Sequence, residues 1–197
     1  MGRRSDHSRA ELRDLMLAAA HDHLAETGFA RFSAREVAKR VGYTIGSVYN
    51  VFGSLDALMI AVNTCTFGQW VTHLEAALAA SGEDRIKALV EGYFSFAEAH
   101  PPLWMAIYDH RLPPGMAMPE ADARERARLT GLVEEEVARF LARPRDAETE
   151  RLTRSLIAIV HGHCSFALTG TFALLGERDA AGLALARVRE VLAAARA

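Results

Sequence analysis

Tyr43, Thr44, Ile45, Gly46, Ser47, Tyr49 and Asn50 form a short run of mostly small or polar side chains, while Val48 and Phe52 recur at the spacing of a buried helical face. Such a helix suits the major groove of double-stranded DNA, which admits one α-helix. On this reading Tyr43 to Ser47 approach base edges or the adjacent phosphates. Gly46 lets the backbone come close, and Ile45 offers an apolar contact to a thymine methyl. Tyr49 either gives its hydroxyl to a phosphate or packs partly buried; Asn50 either pairs with adenine or binds the backbone. Arg35 and Lys39, just upstream, supply positive charge toward the phosphates or are ordinary solvated cations.

Other constellations point to less chemistry. In a helix His161 and Cys164 share one face, yet no acid and no oxyanion loop accompany them, and amides inside a helix are already occupied. Catalysis is therefore not expected. The Glu134-Glu135-Glu136 run reads as a solvated helix face, because helical neighbours diverge by about 100° and cannot converge on a metal. His21-x-His23 and His161-x-His163 share that defect. With no glycine-rich phosphate loop and no zinc cysteine set, no cofactor or metal is expected. Aromatics and methionines gather after residue 66, and most must be core. Phe67, Trp70, Phe94, Trp104, Met105 and Tyr108 are the candidates for the wall of an apolar cavity holding a small hydrophobic ligand, with His161 and Cys164 as its polar marks. A void of several hundred Å³ near Trp70, Trp104 and His161 is what that reading requires. A core histidine beside a buried thiol is the plainer reading of the last pair.

The elements around Thr44 are legible in their caps. Ser33 lies three residues before Glu36, the S-x-x-E capping box, so a helix starts at Ala34; Phe32 and Val37 are placed for a hydrophobic staple. Ala38 faces inward, Gly42 supplies the turn, and Thr44 caps a helix from Ile45 to about Val51, which completes a helix-turn-helix. Leu12, Leu15, Met16, Ala19, Ala20, His23 and Leu24 mark an amphipathic helix ending at Gly28 that packs across the other two. Arg3, Arg4, Arg9 and Arg13 make a basic N-terminal arm, suited to phosphates or a minor groove.

Beyond Ser54 no alternating strand pattern of useful length occurs, and an all-α protein is expected. Its helices are predicted over about Ser54–Ala80, Asp84–Ala99, Leu103–His110, Glu120–Ala142, Ala147–Leu175 and Asp179–Ala195. Pro101-Pro102 stops the second of these, and Leu112 to Pro119 is a loop. Residues 1–53 form the DNA-binding domain and 54–197 the ligand-binding and dimerisation domain.

The net charge of −2 does not oppose DNA binding, because residues 1–55 hold 8 Lys and Arg against 6 Asp and Glu, and the excess reverses afterwards. Cys65 and Cys164 suit two buried thiols in a reducing cytoplasm better than a disulfide. Residues 155–176 carry no Asp, Glu, Lys or Arg, yet His161, His163, Ser165, Thr169 and Thr171 would meet lipid, so the run belongs in a bundle or a dimer seam, not in a membrane.

Ser33, Ala38, Gly42, Thr44, Gly46, Ser47, Tyr49 and Phe52 resemble the pattern of the tetracycline-repressor (TetR) family of bacterial transcription regulators. Where that family usually places a phosphate-touching lysine after Phe-Gly-Ser, this chain has Leu55. Tyr93 to Tyr108 and His161-Gly162 resemble a subgroup with a Trp-x-x-x-His-Gly signature, here with Ile157 at the tryptophan position. The resemblance implies a homodimer joined through the last two long helices, a ligand cavity in each regulatory domain, and repression of a palindromic operator that ends when a small hydrophobic ligand binds. The alternatives are a dimeric DNA-binding protein with no small-molecule response, or a helical small-molecule binder.

Overall fold

The structure, a computed structural model, describes residues 7–196. Arg3 and Arg4 of the basic arm lie outside that range. Among the described residues every regular element is helical: α1 (Arg9–Thr27), a 3-10 turn (Phe29–Arg31), α2 (Ala34–Arg40), α3 (Ile45–Phe52), α4 (Leu55–Ala80), α5 (Arg85–Ala99), α6 (Pro101–Asp109), α7 (Glu120–Leu141), α8 (Ala147–Leu168), α9 (Thr171–Leu174) and α10 (Ala180–Arg196). No single helix among them is long and apolar enough to cross a membrane.

The chain divides into two compact units, one up to Thr66 together with His100–Ala123, the other Phe67–Ala99 together with Arg124–Ala197. This division falls within α4 and puts α6 in the first unit; the boundary expected from the sequence, 53/54, lies just ahead of α4. The first unit is built on one buried cluster: Met16, Ala20 and Leu24 of α1, Val37 and Ala38 of α2, Val48 of α3, Leu58, Met59 and Val62 of α4, and Leu103 and Ala106 of α6. Burying each of the larger aliphatic side chains contributes about 1.5–3 kcal/mol, so this cluster holds the short helices α2 and α3 in place. Polar contacts fix α6 to α4 in the same unit. Asn63 donates to the Ala106 carbonyl at 3.3 Å, and His110 Nε2 lies 3.0 Å from Asp56 Oδ1.

The second unit is centred on aromatics. Trp70 of α4 stacks on Phe96 of α5 at 5.2 Å between ring centroids and meets Tyr93 edge-on at 4.7 Å. Glu134 and Glu136 do not form the solvated face expected of them. Glu136 is 3% exposed and takes a two-point contact from Arg85, at 2.5 and 2.7 Å, while Glu134 is paired with Arg145 at 2.5 Å. A buried carboxylate demands such pairing, because losing its water costs several kcal/mol. Only Glu135 of the three stays exposed.

Two helix boundaries also differ. The run expected to be one helix from Ala147 to Leu175 breaks after Leu168, where Gly170 takes the left-handed conformation, φ 75°, and the Thr169 hydroxyl donates back to the Ser165 carbonyl at 2.8 Å. Pro101 and Pro102 do not merely stop α5. They occupy the first turn of α6, whose leading amides need no intrahelical acceptor.

Candidate nucleic-acid interface

α2 begins at Ala34 because Ser33 Oγ accepts the Glu36 amide at 3.4 Å. The second half of the expected capping box is not made. The Ser33 amide donates instead to His23 Nε2, at 3.2 Å, and Glu36 sits 3.8 Å from Lys39. As an acceptor, His23 Nε2 carries no proton, so the ring is neutral with its hydrogen on Nδ1. Burial first, and the nearby Arg40 charge second, hold its pKa below the ordinary histidine value.

The turn closes at Gly42, φ 76°, a conformation open to glycine without strain, and the Tyr43 amide donates to the Ala38 carbonyl at 2.9 Å. Thr44 then caps α3, its Oγ1 accepting the Ser47 amide at 3.4 Å and lying 3.2 Å from Ser47 Oγ. Val48 is buried in the core while Thr44, Gly46, Tyr49 and Asn50 stand exposed, Tyr49 at 42%. Tyr43 and Ile45 are half-buried against the first unit's core, so part of each serves the fold. Ser47 is half-buried as well. Arg35 is exposed and makes no ion pair among the described residues; Lys39 has 78% of its side chain exposed. The start of α3 is therefore an open, capped helix end with amide and hydroxyl donors and two cations on the preceding helix. That arrangement can accept phosphate and reach base edges.

Sequence reasoning missed how α1 holds this surface. Arg9 donates to the Asn50 carbonyl at 3.4 Å, His7 Nδ1 lies 3.0 Å from the Tyr43 hydroxyl, and the Arg13 guanidinium sits 5.4 Å over the Phe52 ring. Arg9 and Arg13, expected in a basic arm, are thus engaged within the chain. The signal was present, since Ser8-x-x-Glu11 is the same S-x-x-E pattern as at Ser33 and here forms both hydrogen bonds, at 2.7 and 3.2 Å. Downstream, Ser54 Oγ accepts the Ala57 amide at 3.0 Å, starting α4, and Leu55 is 42% exposed.

The residues expected to line a ligand cavity fall in both units: Trp104, Met105 and Tyr108 in the first, Phe67, Trp70, Phe94, His161 and Cys164 in the second. Trp70, Phe94, Trp104 and Cys164 are buried, Phe67 and His161 half-buried, and Met105 and Tyr108 are 39% and 41% exposed. Phe67 lies against Trp70, and Trp104 against Tyr108. An apolar cavity of about 50 Å³ does exist in the second unit, but its wall is aliphatic: Leu74, Val133, Leu156, Ile157 and Val160 among others, with Tyr93 the one aromatic. None of the eight expected residues lines it. His161 stands one step behind, its Nδ1 3.1 Å from the Tyr93 hydroxyl, and burial lowers its pKa. Burial pushes the Cys164 thiol up to about 12, so it stays protonated at neutral pH. Among the described residues no three His, Cys, Asp or Glu side chains group to hold a metal ion.

Comparison with known proteins places this arrangement. No curated protein matches the chain. Solved structures share its fold along nearly the whole length. A protein of unknown function from Rhodococcus sp. RHA1 is 22% identical with a TM-score of 0.73, covering 98% of both chains. A TetR-family transcriptional regulator from Streptomyces coelicolor is 19% identical with a TM-score of 0.65, covering 94% of this chain and 98% of its own. The multidrug binding protein EbrR, in complex with imidazole, is 21% identical with a TM-score of 0.61, covering 94% of this chain and 96% of its own. At such identities the likeness is one of fold. Family assignment comes from the sequence itself: residues 16–62 match "Bacterial regulatory proteins, tetR family", and residues 86–191, more than half of the 197, match "Tetracyclin repressor-like, C-terminal domain". With a capped helix-turn-helix presenting α3 outward and both family regions in order, the chain belongs to the tetR family of bacterial regulatory proteins and is a transcriptional regulator, not an enzyme.

Proposed function

We propose that α3 reads double-stranded DNA through its Thr44 end, and that two copies of the chain hold two such helices over a palindromic operator, roughly 34–36 Å or a multiple of it apart. The observation that carries this reading is Gly46. It has no left-handed φ, and a Cβ there would meet only Thr44 Oγ1, at 3.6 Å, an ordinary contact distance. Glycine in a helix is less stable than alanine by about 0.5–1 kcal/mol. Nothing among the described residues returns that loss, whereas a duplex that must touch the backbone does. Thr44, Ser47 and Asn50 then address base edges or phosphates, Tyr43 and Tyr49 offer hydroxyls to phosphate, and Arg35 and Lys39 supply charge. Exposed Phe166, Leu174, Leu175 and Leu183, around α8 to α10, support a seam between copies. The protein acts in the cytoplasm as a repressor. Selection of bound fragments from random duplexes tests the reading. A palindrome is expected, and no enrichment would overturn it.

Release by a small hydrophobic ligand is the regulatory part of the proposal. α4 supplies Leu58, Met59 and Val62 to the first unit's core and Leu74 to the cavity wall, so one helix is shared by both events. A coupling of about 1–3 kcal/mol would change operator affinity some 5- to 150-fold. A second reading rests on the apolar cavity of the second unit alone, whose volume of about 50 Å³ is far below the 300 Å³ or more of a typical ligand pocket. In that reading the second unit only dimerises. Challenging the operator complex with a panel of hydrophobic compounds separates the two: release by one of them, with a raised unfolding temperature, supports ligand control, and no release by any supports the second reading.

A further inference from the structure

The reading helix is short, eight residues, and its two ends have different needs. At the carbonyl end the last four C=O groups lack intrahelical partners. The Tyr49 carbonyl receives the Gly53 amide at 2.7 Å, and the Asn50 carbonyl receives Arg9, a cation where the helix dipole favours one. At the other end Tyr43 immediately precedes the Thr44 cap, and its phenol is hydrogen-bonded to His7 with the rings 6.2 Å apart. Between His7 and Arg9 lies Ser8, which fixes the start of α1 through its capping box with Glu11. The residues at the start of α1, His7 ahead of its cap and Arg9 in its first turn, therefore contact both ends of α3. His7 and Arg9 are themselves exposed. Their contacts bury little and add little to the core that holds α3 in place; what they do is tie the Tyr43 phenol and the Asn50 carbonyl at its two ends.

We propose that His7 and Arg9 are positioning residues for DNA reading, His7 acting through the Tyr43 phenol and Arg9 through the Asn50 carbonyl. The inference rests on the reading that α3 enters DNA. When His7 Nδ1 donates to the phenolic oxygen, the phenolic proton is free to point at a phosphate. Arg9, satisfying Asn50 from the backbone side, leaves the Asn50 side chain available outward.

The test uses the full-length protein and the duplex that the wild type enriches from a random pool. His7→Phe and Arg9→Met should each weaken binding about 3- to 10-fold, the worth of one hydrogen bond, with thermal unfolding unchanged. His7→Phe should have no further effect in a Tyr43→Phe background, and the slope of log affinity against log salt should stay the same in all variants. A side chain that touches phosphate directly would instead remove about 0.9 from that slope. Arg9→Lys, which keeps a donor and the charge, should retain most of the affinity even if Arg9→Met proves less stable. Unchanged affinity in both variants, a lowered salt slope, or an equal His7→Phe loss in both Tyr43 backgrounds overturns the inference and leaves the reading of α3 standing. A wild-type protein that enriches no duplex removes that reading, and this inference with it.

Discussion

The two compact units use their side chains in opposite ways. At the start of α3 the first unit leaves Thr44, Gly46, Tyr49 and Asn50 exposed, including a glycine that its own packing does not require. In the second unit Trp70, Phe94, Phe96 and Tyr93 are buried; Trp70 packs on the rings of Phe96 and Tyr93, while its indole N–H has no hydrogen-bond partner among the described residues. Residues whose presence costs stability and gains nothing inside the chain point outward to a partner. Bulky aromatics that pack on one another draw stability from within the chain, so their chemical suitability for a ligand does not by itself say where a ligand would sit.

Substitution should therefore separate stability from binding, and the largest effect is expected in the second unit. Trp70→Ala removes a side chain that is 1% exposed and stacked between two rings, and should destabilise the protein by about 3–5 kcal/mol in denaturant unfolding. A loss below 1 kcal/mol would mean that the aromatic cluster is loosely packed and has room for an occupant after all. Gly46→Ala should do the reverse: stability rises by about 0.5–1 kcal/mol, while affinity for the selected duplex falls 10-fold or more, since the added methyl stands between backbone and groove. Equal affinity in that variant would place the DNA contact elsewhere on the unit.

The contrast also explains what could be read in advance. The caps at Ser33 and Thr44 and the turn at Gly42 were legible because each is made by residues within five positions of one another. Partners distant in sequence were not. The Ser33 amide is satisfied by His23, ten residues earlier, and Glu136 is buried by Arg85, fifty-one residues earlier. The break at Gly170 was hidden by an uninterrupted charge-free run, and only its left-handed backbone reveals it. Aromatic content suggested a cavity wall, but composition cannot tell a ring that faces a void from one stacked on its neighbour.

His23 gives the comparison a pH dependence. Its Nε2 accepts the Ser33 amide at the start of α2, and burial lowers its pKa, so between that lowered value and the ordinary value of about 6.5 the unfolded chain binds more protons than the folded one. Its contribution to stability is then complete above about pH 6.5 and is lost as pH falls toward the folded pKa. His21 and His161, also lowered by burial, act in the same direction. The His23 share is isolated by His23→Gln, whose amide oxygen can still accept from Ser33. Thermal unfolding of this variant between pH 7.5 and 5.5 should change less than that of the wild type, and identical slopes would show that His23 does not couple the reading surface to pH.

The smallest expected effect bears on whether the second unit is closed. Val160 is 6% exposed and lines the apolar cavity of about 50 Å³. Val160→Ile adds one methylene, a group whose burial stabilises by about 0.8 kcal/mol when space already exists for it. Overpacking would instead cost about 1–3 kcal/mol. A gain of about 0.5–1 kcal/mol in denaturant unfolding, at an unchanged slope against denaturant, is expected, because the wall around Val160 is aliphatic and no polar group there must be desolvated. Operator binding should be unaffected by the same substitution. If a compound from the hydrophobic panel does release the wild type from DNA, its potency against Val160→Ile tells whether it occupies this void: a compound lodged there must lose affinity to the added methylene, and one that acts undiminished binds elsewhere.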